Sequence, residues 1–436
     1  MKTELSRITE IAKNEPKERF TSLVHLLNKE HLIQSHEELP SGKAAGIDGE
    51  TKEQYNWDLE NRIEGLVDRM KKQAYKPQPS RRTYIRKDKD SLRPLGIPSY
   101  EDKIVQRTMG KILNAIYEQK FMDFSYGFRP ERNQHQALKK LDEMAMDSKC
   151  KYIVDADIKG FFDHVNHEWM IKFLKHDIAD PNFIRLIQRF LKAGIMEEAK
   201  FINTEEGTPQ GGVISPTLAN VYLHYVLDIW FENYVKRKCK GKAEIVRFAD
   251  DFVCCFETKE DAELFYNLLI DRLAKFNLRI AEDKTQIIRF GRGSEHECQD
   301  EGRKKPGTFD FLGFRHYWGK GKNGAFRVKR KTSPKKFKMK VKEFKSWIRY
   351  NRHMNEKDLV DKIKRKLNGH YQYYGVSDNY KSIYAYYKLV LDLTRKWRNR
   401  RSQKTSFTIE KFNMFLERNM LPKPKIKVNL FKKQLR

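Results

Sequence analysis

Acidic side chains at two places in the chain have the types and spacing to do chemistry. Asp250 and Asp251 are adjacent and separate two short apolar runs, while Asp155 and Asp157 alternate with apolar residues earlier in the chain. Carboxylates among apolar residues cost free energy unless something compensates them, and a divalent cation is the usual compensation when several converge. Converging carboxylates can hold two cations that align the attacking and leaving oxygens of a phosphoryl transfer. An isolated Asp-Asp pair, by contrast, is more often a polar turn between strands.

The elements that would position these acids are a hairpin and a short strand. The two apolar runs of residues 244–256 have strand length, and Ala-Asp-Asp between them suits the bend of a tight hairpin. In a strand that begins near Tyr152, alternate residues share one face, so Asp155 and Asp157 would both be available and the pattern does not choose between them. In the hairpin, neighbouring side chains point opposite ways, so we expect Asp250 to be the stronger ligand.

Three further segments have the composition of ligand-binding loops. Residues 42–49 carry three glycines and could approach a phosphate backbone or form a plain loop. Residues 76–98 predict a hairpin with a basic tip, which could clamp a triphosphate or simply be solvated. Residues 206–216 form a Gly- and Pro-rich loop, after which Ser215 and Pro216 predict a helix start with Ser215 as N-cap.

Charge divides the chain into a nearly neutral part and a basic part. From residue 321 onward there are 34 Lys and Arg against 8 Asp and Glu, a net charge of +26, within a total of +29. Aromatic residues are interleaved with this charge, which favours nucleic acid as the partner. Apolar periodicity after Ser333 predicts a small bundle of basic helices. The sequence contains no run of 18 apolar residues, so no membrane span is predicted. The cysteine count is odd, at five, and there is no signal sequence, which indicates a reducing cytoplasm.

Taken together, the motifs resemble those of the bacterial group II intron-encoded reverse transcriptase/maturase family. The resemblance covers residues 40–400, in the order of the family. The motifs are YGFRP at 126–130, D-x-x-x-F-F-D at 157–163, PQGG–SP at 209–216, FADD at 248–251 and FLGF at 311–314. The family usually has Tyr where this chain has Phe248, a change that keeps the ring and loses a hydroxyl, so we expect activity to survive.

This resemblance implies the fold class and the domain order. The expected fold is α+β: a right-hand polymerase, with fingers and palm containing an antiparallel sheet, followed by a basic α-helical thumb/maturase domain. The expected domains are an N-terminal extension with the fingertip loop at 1–75, the fingers and palm at 76–315, and the thumb/maturase domain with a basic tail at 316–436.

The resemblance also implies roles for single residues. The catalytic, metal-binding acids would be Asp157, Asp250 and Asp251, helped by the backbone carbonyl of Ile158, and the cofactor would be two Mg²⁺ ions, for which Mn²⁺ could substitute. The expected nucleotide-binding residues are Arg81 and Lys87 on the triphosphate, Phe162 as the gate that excludes a 2′-hydroxyl, Gln210 at the nucleotide's 3′ side, and Lys284 near the leaving pyrophosphate. The expected template–primer contacts are Gly46, Gly49, Arg129 and Gly313.

The implied function is RNA-dependent DNA synthesis combined with intron splicing. The enzyme would extend a DNA or RNA primer on an RNA template with dNTPs, and would bind group II intron RNA as a maturase for splicing and retrohoming. A DNA target is a further expected partner, a membrane is not, and the sequence does not choose between monomer and homodimer. The expected location is the bacterial cytoplasm, in a nucleoid-associated ribonucleoprotein. Two alternatives stay open: a domesticated reverse transcriptase in host defence or repair, and an RNA-binding splicing cofactor with a vestigial polymerase.

Overall fold

The computed structural model describes residues 2–86, 92–197, 200–203, 205–208, 211–300, 306–321, 324–401 and 407–431. The helices are α1 (Lys2–Asn14), α2 (Lys29–Glu38), α3 (Lys52–Tyr55), α4 (Leu59–Lys71), α5 (Tyr100–Tyr117), α6 (Gln134–Met146), α7 (His167–Asp177), α8 (Pro181–Leu191), α9 (Ser215–Leu223), α10 (Lys236–Lys238), α11 (Lys259–Ala274), α12 (Ser294–Asp300), α13 (Pro334–Tyr350), α14 (Glu356–Tyr374), α15 (Tyr380–Arg398) and α16 (Ile409–Asn419). The strands are β1 (Ser80–Arg86), β2 (Leu92–Ile97), β3 (Tyr152–Asp157), β4 (Ile195–Glu197), β5 (Lys200–Ile202), β6 (Ala243–Phe248), β7 (Asp251–Phe256), β8 (Gln286–Arg289), β9 (Thr308–Phe311), β10 (Phe314–Lys320) and β11 (Phe326–Thr332).

These elements form two compact units and three sheets. The first unit comprises residues 1–133, 156–252 and 260–285, and the second comprises 134–155, 253–259 and 286–436. The strand orders are β2-β1-β4-β5, β6-β7-β3-β8 and β11-β10-β9. This division differs from the three consecutive domains expected from the sequence, because the second unit begins before residue 316 and takes in two earlier segments. None of the helices in the described residues is long and apolar enough to cross a bilayer.

In the first unit, the predicted basic hairpin is an antiparallel pair of strands. β1 and β2 pair from Arg81 opposite Ile97 to Arg86 opposite Leu92, which confirms the hairpin. Its basic tip, with Lys87, lies outside the described residues. The strands precede α5, which buries residues such as Ile104 along most of its length and therefore provides much of the local core.

The helix after the Gly-rich loop begins one residue earlier than predicted. α9 begins at Ser215 with Ile214 as the N-cap, so the prediction that Ser215 is the N-cap is wrong. The physical reason is that a side chain from α5 supplies the acceptor: Gln106 Oε1 lies 2.8 Å from the Val213 nitrogen and 3.4 Å from that of Ile214. Gln106 thus fixes the two residues before the helix, which places Ile214 and not Ser215 at the N-cap position. Two π-helical segments, His224–Asp228 and Phe231–Val235, continue α9 toward α10, which agrees with the long helix predicted here.

The second unit contains the basic helices and the sheet β9–β11. Ser333 caps α13 through a hydrogen bond from the Lys336 N–H, as its Ser-Pro sequence predicts. Leu359, Ile363 and Leu367 of α14 are buried, so the apolar periodicity of this region correctly predicted a helical core. Cys150 and Cys255 are joined as a disulfide with Cα atoms 5.6 Å apart, whereas a reducing compartment favours free thiols.

Candidate active site

The turn that carries Asp250 and Asp251 joins β6 to β7 in a strained and closely packed conformation. Ala249 has a positive φ of 59°, which L-residues other than Gly, Asn and Asp seldom adopt. Gly127, from the YGFRP motif, packs directly against this turn: a Cβ on Gly127 would lie 2.3 Å from the Ala249 nitrogen. Asn220 Nδ2 donates to the Gly127 carbonyl at 2.7 Å, so α9 holds the packing partner in place.

A buried ion pair fixes the strand that leads into the turn. Arg247 is fully buried and donates from Nε to Asp228 Oδ1 at 2.7 Å and from Nη2 to Asp228 Oδ2 at 2.5 Å. Its Nη1 donates to Asn220 Oδ1 at 3.2 Å and to the Ala249 carbonyl at 3.0 Å. A guanidinium with this many fixed partners is rigid, so Arg247 positions the aspartates that follow it.

Asp157 lies at the end of β3, where Lys284 neutralises it. Lys284 Nζ lies 2.5 Å from Asp157 Oδ2, with 53% of the lysine side chain and 32% of the aspartate side chain exposed. The pKa of Lys284 is raised, mainly by this hydrogen bond, with smaller contributions from the charges of Asp283 and Asp250. Asp157 and Asp250, distant in sequence, therefore act on the same ammonium group.

The backbone beside Asp157 is tied to the segment that carries Lys284. The Ala281 N–H donates to the Asp157 carbonyl at 2.8 Å, and Ile158 forms an isolated antiparallel bridge with Ile280. Ile158, whose carbonyl is an expected metal ligand, is only 2% exposed. These contacts hold residues 157 and 284 at a fixed separation.

The acids suit a hard cation by chemistry, although the structure places an ammonium group beside one of them. Carboxylate oxygens are the ligands that Mg²⁺ prefers, and Asp157, Asp250 and Asp251 are each partly exposed. Among the described residues, no group of three or more His, Cys, Asp and Glu side chains is arranged to hold a metal ion. The three carboxylates thus fit Mg²⁺ by their chemistry but not by their present arrangement, and binding would require Lys284 to leave Asp157.

Phe162 lies beside the Gly-rich loop that the sequence singled out. It belongs to a 3₁₀ turn at Phe161–Asp163, in which Phe161 is buried and Phe162 is half-buried. The Thr208 N–H donates to the Phe162 carbonyl at 2.8 Å, and a Cβ on Gly207 would lie 2.8 Å from the Asp163 carbonyl oxygen. The loop and the expected gate thus form one packed feature, while Gln210 lies outside the described residues.

Arg81 and Gly46, both expected to bind substrate, instead contact each other through a hydrogen bond. The Arg81 guanidinium donates to the carbonyls of Ala45, at 2.7 Å and 3.1 Å, and of Gly46, at 3.1 Å. Lys103 of α5 donates to the Ala44 carbonyl at 2.7 Å. The Gly-rich segment at residues 42–49, the expected fingertip loop, is therefore held by hydrogen bonds from two cationic side chains. Arg81 would have to leave these carbonyls to bind a phosphate.

The other expected template–primer residues lie in different environments. Gly49 has a φ of 72°, and a Cβ built on it would meet no atom of the described residues within 4 Å, so it is open to a partner. Gly313 has a φ of 78° in the turn between β9 and β10, with the Tyr374 hydroxyl 3.2 Å from where a Cβ would be. Arg129 is only 7% exposed, and its guanidinium donates to the carboxylate of Glu118 and to backbone carbonyls. This environment favours a structural role for Arg129 over a template contact.

Sequence reasoning missed the residues that support the site. The sequence analysis did not predict the pairing of Arg247 with Asp228, although an arginine inside the apolar strand EIVRF indicates a buried partner. Lys103 looked like one of many helix lysines, and only the tertiary structure places it under the fingertip loop. Gly127 was noted for its neighbours Tyr126 and Phe128, whereas its missing side chain is what the catalytic turn requires.

Comparison with known proteins identifies relatives of this chain. The family described as reverse transcriptase (RNA-dependent DNA polymerase) matches residues 85–316. Group II intron-encoded protein LtrA from Lactococcus lactis subsp. cremoris is 39% identical over 222 residues, which cover 50% of this chain and 37% of that protein. Protein YkfC from Escherichia coli (strain K12) is 31% identical over 351 residues, covering 73% of this chain and 88% of that protein. The structure of telomerase from Candida albicans with a fragment of telomeric RNA covers 84% of this chain and 66% of its own, at 13% identity and a TM-score of 0.44.

These similarities have a defined extent. The chain spans 37% of the length of LtrA, whereas it spans most of YkfC. The family match covers more than half of the chain and includes the three aspartates. With the mixed helices and sheets observed, it confirms the predicted α+β, right-hand polymerase fold class. The chain therefore belongs to the reverse transcriptase family and is related to the reverse transcriptase/maturases encoded by group II introns.

Proposed function

We propose that this chain is an RNA-dependent DNA polymerase that extends a primer 3′-hydroxyl on an RNA template with dNTPs. The observation that carries the proposal is the convergence of Asp157 and Asp250 on Lys284, in the same unit as the half-buried Phe162. Phosphoryl transfer needs little covalent chemistry from the protein, because positioning and charge neutralisation provide most of the rate enhancement. A serine or cysteine nucleophile is not required, since the primer hydroxyl attacks.

The three aspartates would hold the metal ions. Asp157, Asp250 and Asp251, with the Ile158 carbonyl, are proposed to hold two Mg²⁺ ions, or Mn²⁺ in their place. When bound, the two ions supply charge neutralisation to the attacking and leaving oxygens. The role of the protein is then to keep Asp250 on its rigid turn and to release Lys284 from Asp157.

The nucleotide would be held by residues that come before and after Asp157 in the sequence. Arg81, after leaving the Ala45 and Gly46 carbonyls, would bind the triphosphate together with Lys87. Phe162 would pack under the sugar and exclude a 2′-hydroxyl, and Gln210 would contact the nucleotide's 3′ side. Lys284, once released from Asp157, would lie beside the acids as an ammonium group that can donate a proton to the leaving pyrophosphate.

Primer extension is the test of the polymerase proposal. A labelled DNA primer on an RNA template, with Mg²⁺ and dNTPs, should be extended by the wild-type chain. Phe162→Ala should raise incorporation of ribonucleotides relative to deoxynucleotides, because the smaller side chain leaves space for the 2′-hydroxyl. Failure of the wild-type chain to extend the primer would defeat the proposal.

We further propose that the chain binds intron RNA as a maturase in splicing and retrohoming. The support is the net charge of +26 after residue 320 and the relationship to LtrA. Gly46, Gly49 and Gly313 would contact the template–primer. The same proposal includes binding to a DNA target and a location in a bacterial cytoplasmic ribonucleoprotein. The test is splicing of the intron that carries the gene, with and without the protein.

The basic helices also favour a second candidate, a splicing cofactor whose polymerase is vestigial. Two results together would support it. The wild-type chain would fail to extend a primer, and the Asp250→Ala variant would still promote splicing. A domesticated reverse transcriptase is distinguished by its gene neighbourhood, because an intron-borne gene lies within the RNA domains of its intron.

A further inference from the structure

A cavity of about 400 Å³ opens among the basic helices of the second unit, and its lining contains none of the catalytic acids. It is lined by side chains of α13, α14 and α15, and its volume lies within the range of small-molecule sites in proteins. The volume is sufficient for a nucleobase with its sugar. The lining combines aromatic rings with two lysines and one glutamate.

The floor of the cavity is a stack of aromatic rings. His370 stacks on Tyr386 with ring centroids 3.8 Å apart and an angle of 17° between planes, and its ring also lies 4.8 Å from that of Tyr374. His370 is 7% exposed, yet its Nε2 has no hydrogen-bond partner among the described residues. Burial lowers the pKa of His370 to about 4, so its ring is neutral at pH 7. A buried polar atom without a partner costs free energy, so the His370 ring is held by stacking on Tyr386 and not by a hydrogen bond through Nε2.

The rim of the cavity carries two lysines and one glutamate, Glu343, which leaves one basic group in excess. Lys340 and Lys366 both line it, with Lys340 Nζ 3.0 Å from the Glu343 carboxylate and Lys366 Nζ over the Trp347 ring at 4.7 Å from its centroid. These lysines belong to a region with a net charge of +26. A ligand with an aromatic part for the floor and a negative group for the rim fits this distribution.

Gly369 keeps the cavity open. It lies inside α14, where glycine is less stable than alanine, and it has an ordinary negative φ, so the helix does not require it. A Cβ at Gly369 would meet no atom of the described part of the chain within 4 Å. Gly369 lines the cavity, so a long side chain at this position would enter the space that a Cβ alone leaves open.

We propose that this cavity binds one unpaired nucleotide of an RNA strand. The base would pack against the aromatic lining, in which Tyr373 is half-buried and the other rings are buried, and its phosphate would lie against Lys340 and Lys366. Unstacked RNA bases bind aromatic side chains in this way, and basic residues follow the backbone. The choice of RNA as the polymer rests on the proposed function, whereas the site for a base rests on the cavity itself.

The test uses photo-crosslinking of the full-length chain to a short single-stranded RNA that carries one 5-iodouridine. In the wild-type chain we expect a crosslink within residues 367–381, identified by mass spectrometry of tryptic peptides. Gly369→Leu favours the helix but fills the cavity, and should reduce this crosslink about tenfold, the effect of losing one stacked base. Gly369→Ala is the matched control, because it also favours the helix and leaves most of the space, and it should retain the crosslink.

A second pair of variants tests the basic rim. Lys366→Gln should weaken the crosslink, whereas Lys362→Gln, an exposed lysine of the same helix, should not. Equal crosslinking of Gly369→Leu and Gly369→Ala would overturn the proposal. Primer extension by the same proteins separates the two claims: a wild-type chain that crosslinks here but does not extend a primer retains the nucleotide site and loses the polymerase.

Discussion

Arg247 and Asp228, both fully buried, form a two-point ion pair that supports the turn bearing Asp250 and Asp251. The same guanidinium donates to the carbonyl of Ala249 within the turn. The candidate catalytic acids are therefore partly exposed side chains on a backbone whose conformation is set by buried contacts. Support of this kind keeps carboxylates in place while substrate and metal come and go.

Removing one partner of the buried pair should destabilise the protein strongly. Asp228→Ala leaves the Arg247 charge buried without its carboxylate, so we expect a loss of about 3–5 kcal/mol in the free energy of unfolding. Urea denaturation followed by circular dichroism measures it. Asp123→Ala removes the partner of the more exposed Arg132 and should cost at most about 1 kcal/mol. Similar losses in the free energy of unfolding for both variants would show that the buried pair stabilises the protein no more than an exposed pair does.

A side chain at position 127 should impair activity without unfolding the protein. In Gly127→Ala the new Cβ meets the Ala249 backbone, so the turn must move and the acids with it. We expect primer extension to fall about 100-fold, with an unchanged circular dichroism spectrum. Gly110→Ala in α5, where a Cβ meets no described atom within 4 Å, should retain activity. Full activity of Gly127→Ala would contradict the role given to this contact.

The pH dependence of stability should carry the signature of Asp102. Burial raises the pKa of this carboxyl from 3.8 to about 6, although it accepts hydrogen bonds from the Tyr75 hydroxyl and from the Gln78 N–H. Because the folded state holds the proton more tightly, the stabilisation is complete below about pH 4 and is lost as the pH rises to about 6.

Asp102→Asn should remove this component of the pH profile. Relative to wild type, its free energy of unfolding should gain about 3 kcal/mol between pH 4 and pH 7, two pKa units of linkage. Urea denaturation at several pH values gives both profiles. Parallel profiles for the two proteins would mean that Asp102 titrates normally in the folded state.

Lys284 should compete with metal ions for Asp157. Lys284→Gln removes the competing ammonium group, so we expect Mn²⁺ to bind about two- to fivefold more tightly, as suits a partly exposed pair. Primer extension should nevertheless fall, because the proposed proton donor is lost. Electron paramagnetic resonance of free Mn²⁺ measures the affinity, and Lys275→Gln, an exposed lysine after α11, is the control. Unchanged Mn²⁺ affinity in Lys284→Gln would contradict the competition.

Local patterns in the sequence predicted the elements, whereas the roles of the acids stay predictions implied by the motifs. The alternation around Asp155 and Asp157 marked β3, and the two apolar runs marked β6 and β7, because strand and helix periods are local properties. The Arg247–Asp228 pair and the contact between Gly127 and Ala249 depend on residues that are distant in sequence, so no local pattern reports them. Arg129 shows the converse, since the family resemblance implied a template–primer contact, whereas its guanidinium is occupied by internal hydrogen bonds.

The central claim is that Asp250 is an essential acid of an RNA-templated DNA polymerase. The most direct measurement is single-turnover primer extension on an RNA template with Mg²⁺ and dNTPs, comparing wild type, Asp250→Asn and Asp271→Asn, the last being an exposed aspartate of α11. We predict that wild type and Asp271→Asn extend the primer at similar rates and that Asp250→Asn is slower by about 1000-fold or more, the scale of losing an electrostatic catalytic group. Equal extension by Asp250→Asn and wild type, or no extension by wild type, would contradict it.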